Sequence, residues 1–128
     1  MNQLTQEWVD KAESDFRTAT REVQVTQDPS YDGVCFHAQQ CAEKYLKGYL
    51  QENNIGFPKT HDLVVLLDLS IPTEPQWNQF RSRLRLLTLA AVEIRYPGKS
   101  ADQIMAEEFY QLCVEVRNIV RIALGLLQ

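Results

Sequence analysis

Residues 35–50 read CFHAQQCAEKYLKGYL, and this stretch decides the fold. Its apolar residues recur at spacings of three and four, which is the pattern of a helix with one buried side. The same stretch carries His37, Gln40 and Lys44 among those apolar residues. We predict a helix over about 31–53, with the apolar stripe turned inward and the three polar side chains near its edge.

Three other long segments have the same helical periodicity. They cover about 4–27, 77–96 and 100–127, and Pro, Gly, Asn or Asp residues separate the segments. The short run HDLVVLLDLS at 61–70 could also be a buried strand. No second strand is present for it to pair with, so we predict a short helix capped by Thr60.

Short loops between long helices favour antiparallel neighbours. The five Gly and five Pro are few, which favours a small number of long elements. We therefore predict an all-α fold: an up-down antiparallel four-helix bundle with one short additional helix, forming a single domain over residues 1–128.

The composition indicates a globular protein with an acidic surface. The chain has 128 residues, 45% of them hydrophobic, and a net charge of −4. A protein that binds nucleic acid over its whole surface is usually basic, so a polyanion would have to contact a local patch, and no DNA partner is expected. The polar N-terminus is unlike a signal peptide, and no apolar run approaches the roughly 18 residues of a membrane span. We expect a soluble, cytoplasmic protein.

The cysteines favour buried thiols rather than disulfides or metal ligands. Cys35, Cys41 and Cys113 are odd in number, and none belongs to a CxxC pair. His37 and His61 are the only histidines, and they are far apart in the sequence. Two isolated histidines and buried thiols do not make a ligand set, so we expect no metal and no cofactor.

Four segments, taken in their order and spacing, are typical of one known family. They are WVDKAESDFRTA at 8–19, CFHAQQCAEKYLKGYL at 35–50, KTHDLVVLL at 59–67 and IRYPG at 94–98. Together they resemble the HEPN family (higher eukaryote and prokaryote nucleotide-binding domain) over nearly the whole chain. The resemblance implies an all-α bundle, like the substrate-binding subunits of nucleotidyltransferases, that forms homodimers. It also implies a partner, a separate minimal nucleotidyltransferase, in pairs commonly described as toxin–antitoxin modules.

The sequence departs from the ribonucleases of that family. The resemblance implies, for them, an Arg followed after four to six residues by a His near the last helix. No Arg stands at that spacing before His37 or His61, and the last helix contains no His. A metal-free ribonuclease needs a group that transfers protons near neutral pH, usually His.

The expected function is therefore that of a HEPN partner subunit rather than an enzyme. It would bind a minimal nucleotidyltransferase, and a nucleotide or RNA in a cleft between helices. The alternative is a metal-independent ribonuclease that uses His37 or His61 together with Arg95.

The first candidate site residues lie on the helix at 31–53. His37 and Lys44 are seven residues apart, so they lie two turns along almost one line, and Gln40 lies further toward the polar side. Lys44 could bind an anion as a point charge, with His37 as a donor and Gln40 as an amide for a base or phosphate. Alternatively, His37 is bonded to a neighbouring helix and Lys44 extends outward from it.

Three further candidates lie outside that helix. His61 stands at the start of the short helix, where exposed N–H groups favour an anion. Arg95 and Tyr96 precede Pro97, which pushes Tyr96 out of helical geometry. A ring and a guanidinium at this point could stack on a base and bind a phosphate. The alternative is a structural role for all three.

One region of the acidic chain is basic. It contains Arg81, Arg83, Arg85, Arg95 and Lys99, opposed only by Glu93. It could contact RNA, nucleotide phosphates or an acidic partner, or pair with the acidic first and last helices. The i, i+4 pair Glu43 and Lys47, in contrast, is predicted to be solvated helix surface.

Overall fold

The computed structural model describes residues 1–126, and within them the fold is all-α with no strand. The helices are α1 (Gln3–Val23), α2 (Tyr31–Glu52), α3 (Leu63–Ser70), α4 (Arg81–Glu93) and α5 (Gln103–Ala123), with a 3-10 helix (Pro75–Phe80) before α4. The predicted all-α fold class is confirmed. The last helix ends at Ala123, before the predicted bound; Leu127 itself lies outside the described residues.

Two local predictions need correction. The segment predicted as one helix over 77–96 is the 3-10 helix followed by α4, which already ends at Glu93, four residues before Pro97. The cap of α3 is Asp62, whose carboxylate accepts from the Val64 N–H at 2.9 Å, rather than Thr60. Thr60, three residues before α3 begins, instead accepts from the N–H of Asp62.

The four long helices alternate in direction. α1 and α2 are antiparallel, because the Ser30 N–H binds Glu22 at one end and Gly48 meets Trp8 near the other. α4 is antiparallel to α2, since Trp77, just before α4, packs on Tyr49. α5 runs parallel to α2 and antiparallel to α4, so the four long helices follow the predicted up-down order.

α2 is the central element of the bundle. It packs against each of the other four α-helices, and α5 lies parallel to it. The Ala101 N–H, just before α5, donates to Asp32 at 2.6 Å, and Arg121 donates to the Tyr45 hydroxyl at 3.2 Å. The buried side of α2 carries large side chains such as Tyr45, which is fully buried.

The three cysteines are buried free thiols, as predicted, and each is 0% exposed. Burial raises the pKa of the Cys35 thiol to about 12, and it raises that of Cys41 well above its ordinary value. Within residues 1–126, no helix has both the length and the apolar character that crossing a bilayer requires.

Two of the arginines in the basic region are paired. Arg81 lies 2.6 Å from Asp68 on α3, and Arg83 lies 2.8 Å from Glu115 on α5. The sequence left open that these arginines pair with the acidic first and last helices, and Arg83 does pair with the last helix. These exposed ion pairs reduce the positive charge that the α4 region can offer to a polyanion.

Candidate functional site

One side of α2 carries half of the predicted site residues: His37, Gln40 and Lys44. We call it the α2 strip and define it as Phe36, His37, Gln40, Glu43, Lys44 and Lys47. Their spacings of three and four put them on one side of the helix. α1 borders the strip through Asp15, which contacts His37 and Lys44. The segment before α3 borders it on the other side through His61, which contacts Glu43.

Asp15 joins the two residues that the sequence paired. Its Oδ1 lies 2.8 Å from His37 Nδ1, and its Oδ2 lies 2.6 Å from Lys44 Nζ. The Asp15 side chain is only 11% exposed, so solvent screens these contacts weakly. His37 and Lys44 are therefore brought together, but around a carboxylate that belongs to the protein.

This arrangement fixes the tautomer of a neutral His37. A carboxylate can only accept, so Nδ1 carries the proton and Nε2 is left with its lone pair. Nε2 could accept a hydrogen bond or a proton, and it would donate to a phosphate only when the ring is charged. The His37 side chain is 30% exposed, which leaves it accessible to a ligand.

The sequence analysis missed Asp15, although one signal was present. Asp15 stands three residues after Ala12 and four before Ala19, both of which are fully buried. A carboxylate at those spacings lies on the buried side of an amphipathic helix. Such a position indicates an internal partner, and here the partners are the candidate residues on α2.

Glu43 forms a second cluster on the other side of the strip. It accepts from His61 Nδ1 at 2.9 Å, Lys47 Nζ at 3.0 Å and Gln39 Nε2 at 3.1 Å. The prediction that Glu43 and Lys47 are solvated was wrong, since they are 3% and 7% exposed. The Trp8 ring explains part of this burial, because the Lys47 ammonium lies 5.5 Å from its centroid.

Gln40 joins this second cluster from the middle of the strip. Its Nε2 donates to the side-chain Oε1 of Gln39 at 2.8 Å, and Gln39 Nε2 donates in turn to Glu43 and to the His61 backbone carbonyl. The His61 side chain itself is 71% exposed. His61 therefore reaches the strip through its inner nitrogen while most of its ring faces solvent.

Arg95 approaches the strip through an aromatic residue that the sequence analysis did not single out. The Arg95 guanidinium lies 5.9 Å from the centroid of the Phe36 ring. The same ring meets His37 edge-on at 5.2 Å. Tyr96, in contrast, is 63% exposed, and within residues 1–126 no hydrogen bond or ring contact joins it to the strip. The structure thus brings Arg95, but not Tyr96, to the other candidates.

A third ionic network lies inside the bundle, between α1, α2 and α5. Glu13 accepts from Arg117 at 2.7 and 2.8 Å and from the Tyr45 hydroxyl, which Arg121 also contacts. The Arg117 hydrogen bonds hold the pKa of Glu13 below its usual value, while burial and Glu13 together raise the pKa of Tyr45. This network joins α1, α2 and α5 and lies apart from the α2 strip.

The strip is better suited to an organic anion than to a metal ion. The two carboxylates at this place, Glu43 in the strip and Asp15 beside it, already contact a lysine ammonium, which a cation would have to displace. Within residues 1–126, no group of three His, Cys, Asp or Glu side chains is placed to hold a metal ion. The accessible groups are an aromatic ring, a guanidinium, an imidazole, an ammonium and an amide, and these recognise bases and phosphates.

The chain matches the model of the HEPN domain family over residues 5–123. No curated protein matches it. Two solved structures are similar. ST0689, an archaeal HEPN homologue, is 25% identical, with a TM-score of 0.72 over 94% of this chain and 97% of that one. TT1696 from Thermus thermophilus is 22% identical, with a TM-score of 0.73 over 94% of this chain and 98% of that one. At the latter identity the likeness concerns the fold alone.

Proposed function

The chain belongs to the HEPN domain family, and on that premise we propose that it is the non-catalytic partner subunit of a minimal nucleotidyltransferase, as in toxin–antitoxin modules. In this proposal the α2 strip binds a nucleotide or the end of an RNA strand. One observation carries the proposal: groups suited to a base and groups suited to a phosphate lie together at one side of α2. Phe36 and Arg95 suit a base, Gln40 suits its polar edge, and Lys44 and His37 suit a phosphate.

The charge of the strip favours a short ligand. Lys44, Lys47 and Arg95 are opposed by Asp15 and Glu43, so the positive charges exceed the negative by one while both histidines are neutral. Affinity for a polyanion rises with the number of phosphates that the protein neutralises. A small excess of positive charge therefore suits a mononucleotide or a strand end better than a long duplex.

The partner role is tested by co-expression with a minimal nucleotidyltransferase encoded in the same genome. We expect the two chains to co-purify and to elute as one species in size-exclusion chromatography. Separate elution at micromolar concentration of both chains contradicts the partner role. The nucleotide-binding part of the proposal is measured on the chain alone, so the two parts can fail separately.

The ligand role is tested by calorimetry against ATP, GTP and a short single-stranded RNA. We expect binding to weaken about tenfold in Lys44→Gln and in Arg95→Gln, since each removes one cation beside the ligand. Arg85→Gln is the matched control, because Arg85 is a cation on α4 outside the strip. If the three substitutions weaken binding equally, a site on α2 is contradicted. If none of the three ligands gives a heat of binding, nucleotide and RNA binding are both contradicted.

The alternative, a metal-independent ribonuclease, has one observation in its favour. The Asp15 carboxylate orients the His37 ring with Nε2 directed away from it, as a positioned general base requires. Arg95 lies near enough to contact the adjacent Phe36 ring and could stabilise a developing negative charge. Cleavage of labelled RNA by the wild type, lost in His37→Ala and kept in His61→Ala, would favour this enzyme over the binding subunit.

A further inference from the structure

The two ring nitrogens of His37 have different surroundings. Nδ1 lies 2.8 Å from Asp15 Oδ1, and within residues 1–126 no hydrogen bond joins Nε2 to another side chain or to the backbone. The His37 side chain is 30% exposed, so a ligand can reach the ring from the side of Nε2. Because the Asp15 carboxylate only accepts, Nε2 of the neutral ring has a lone pair and no proton. Toward a ligand, the neutral His37 is therefore an acceptor.

A phosphate can bind beside this acceptor only if a proton is added. Phosphate oxygens also carry lone pairs, so an unprotonated phosphate and the neutral Nε2 repel each other. One proton between the two atoms removes the conflict, whether the ring or the phosphate carries it. The ring does not escape by changing its tautomer. Asp15, whose side chain is only 11% exposed, keeps the proton on Nδ1 while its other oxygen lies 2.6 Å from Lys44 Nζ.

Phosphate monoesters and diesters differ in how well they share such a proton. A monoester, such as the terminal phosphate of a nucleotide, has a second pKa of about 6 and carries about −1.5 to −2 charges at pH 7. It can hold a proton near neutral pH, and as a dianion it attracts a charged imidazole strongly. A diester inside an RNA strand carries one negative charge and holds no proton near neutral pH. Nε2 of His37 therefore favours a terminal phosphate over an internal one.

The charged groups around His37 come from several parts of the chain. α1 contributes Asp15, and α2 contributes Lys44 on the same carboxylate. Arg95, just after α4, reaches the same side of α2 over the neighbouring aromatic ring. His61, before α3, contacts a different carboxylate at the other side of the strip. The ionic network shared with α5 lies apart from the strip. A proton on His37 thus adds a positive charge beside two cations and one carboxylate, which favours it only when an anion is bound.

We propose that His37 selects a ligand with a terminal phosphate monoester, and that binding takes up one proton, which comes to lie between Nε2 and a phosphate oxygen. The inference rests on the proposed ligand site on the α2 strip and specifies the part of the ligand that His37 recognises. The proton comes from the solvent, and no bond of the phosphate is broken. Because a proton is taken up, the affinity for the phosphate rises as the pH falls from about 8 toward 6.

The first test counts the protons. Calorimetric titration of AMP in two buffers with different ionisation enthalpies gives the number of protons taken up per AMP bound. We expect about one proton at pH 7.5 in the wild type and none in His37→Ala. Adenosine, which lacks the phosphate, should bind without proton uptake. Uptake that is lost in His61→Ala and kept in His37→Ala overturns the proposal, because the proton then enters the other cluster.

The second test changes the tautomer. Lys44 only donates, so in Asp15→Asn we expect the amide oxygen to face Lys44 and the amide nitrogen to face Nδ1 of His37. The neutral ring then carries its proton on Nε2 and donates to the phosphate directly. AMP should still bind, and proton uptake should fall to less than about half of the wild-type value. Asp10→Asn is the control, since it removes an exposed α1 carboxylate that is bonded to Gln6. Equal uptake in Asp15→Asn and Asp10→Asn overturns the proposal.

The third test compares the ends of RNA. A trinucleotide with a 5′-phosphate should bind about tenfold tighter than the same trinucleotide with a 5′-hydroxyl at pH 6.5, since only the first has a monoester. This advantage should fall to about threefold or less in His37→Ala, where Lys44 alone contacts the phosphate. Tighter binding of the phosphorylated trinucleotide than of AMP identifies a strand end as the ligand, and the reverse order identifies a mononucleotide.

The outcomes separate this inference from the ligand site on which it rests. Circular dichroism verifies that each variant is folded. Binding of AMP without proton uptake overturns the inference and leaves the ligand site in place, and so does equal affinity for the two trinucleotides. If neither AMP nor a trinucleotide binds, the ligand site itself is contradicted, and the inference fails with it.

Discussion

Asp15 on α1 and Lys44 on α2 are joined across 2.6 Å, and the same carboxylate holds His37 at 2.8 Å. One buried side chain of the protein therefore occupies the two groups that would bind a phosphate. Without ligand it stabilises the packing of α1 on α2. In the presence of an anionic ligand it competes for the same cation, and the two effects can be separated by substitution.

We expect Asp15→Asn to strengthen binding of ATP and to weaken the fold. Loss of the negative charge should raise the affinity about tenfold, while loss of the hydrogen-bonded ion pair should lower the free energy of unfolding by about 1–2 kcal/mol. Calorimetry and urea denaturation measure the two quantities. Asp10→Asn is the control, since Asp10 is an exposed α1 carboxylate bonded to Gln6. Weaker ATP binding in Asp15→Asn would contradict competition by Asp15.

Glu43 and Lys47 should behave as a buried pair rather than as surface residues. Glu43→Gln leaves Lys47, whose side chain is 9% exposed, without its anion, and should lower the free energy of unfolding by about 3 kcal/mol. Adding Lys47→Met removes the stranded charge, so the double variant should be more stable than Glu43→Gln alone. Urea denaturation of the four proteins measures the coupling, and additive losses would contradict it.

Glu13 should make stability depend on acid pH. Its pKa is lowered in the folded protein, so its ion pair stabilises the fold above the unfolded pKa, and this contribution is lost as the pH falls through the folded pKa. Glu13→Gln should therefore be about 2 kcal/mol less stable than the wild type at neutral pH, with a difference that shrinks below about pH 4.5. Urea denaturation over a pH series measures it. In Glu107→Gln, whose carboxylate accepts a hydrogen bond from Gln103 on the surface, the difference should be small at every pH.

The thiols should not react while the protein is folded. The pKa of Cys35 is raised to about 12, so at pH 8 only about 1 in 10,000 of these thiols is ionised, and the side chain is fully buried. Cys41 and Cys113 are equally buried. Iodoacetamide should modify none of the three in the native protein and all three in urea, as counted by mass spectrometry. Rapid modification of the native protein would contradict this burial.

The fold was predictable because apolar residues recur at helical spacing in the long segments and Pro, Gly, Asn or Asp residues separate those segments. α2 illustrates this, since its predicted bounds of about 31–53 differ from Tyr31–Glu52 by one residue at the end. The segment at 77–96 was harder, because periodicity does not distinguish a 3-10 turn from an α-helix. Pro75 fits the first turn of either kind of helix, so the sequence does not indicate the division at Phe80, where Trp77 and Phe80 are both buried.

The site was less predictable because it depends on contacts between helices. His37 and Lys44 could be placed on one line from their spacing, but their shared partner Asp15 lies far away in the sequence. Glu43 and Lys47 were assigned to the surface because two opposite charges at i, i+4 on a helix are usually exposed. The Trp8 ring that lies over Lys47 belongs to α1, so the spacing of apolar residues along α2 alone could not indicate that Lys47 is buried.

Because α5 lies parallel to α2 and far from it in the sequence, we expect α5 to pack late in folding. α1 and α2 are joined by residues 24–30 and can associate early, whereas α5 meets α2 only after 53–102 has been brought back. In folding kinetics, Val9→Ala on α1 should mainly slow folding, and Val116→Ala on α5 should mainly speed unfolding. The reverse pattern would contradict this order. A nascent chain would thus complete the α1–α2 hairpin, with Asp15 already facing Lys44, before the rest of the bundle closes over its apolar side.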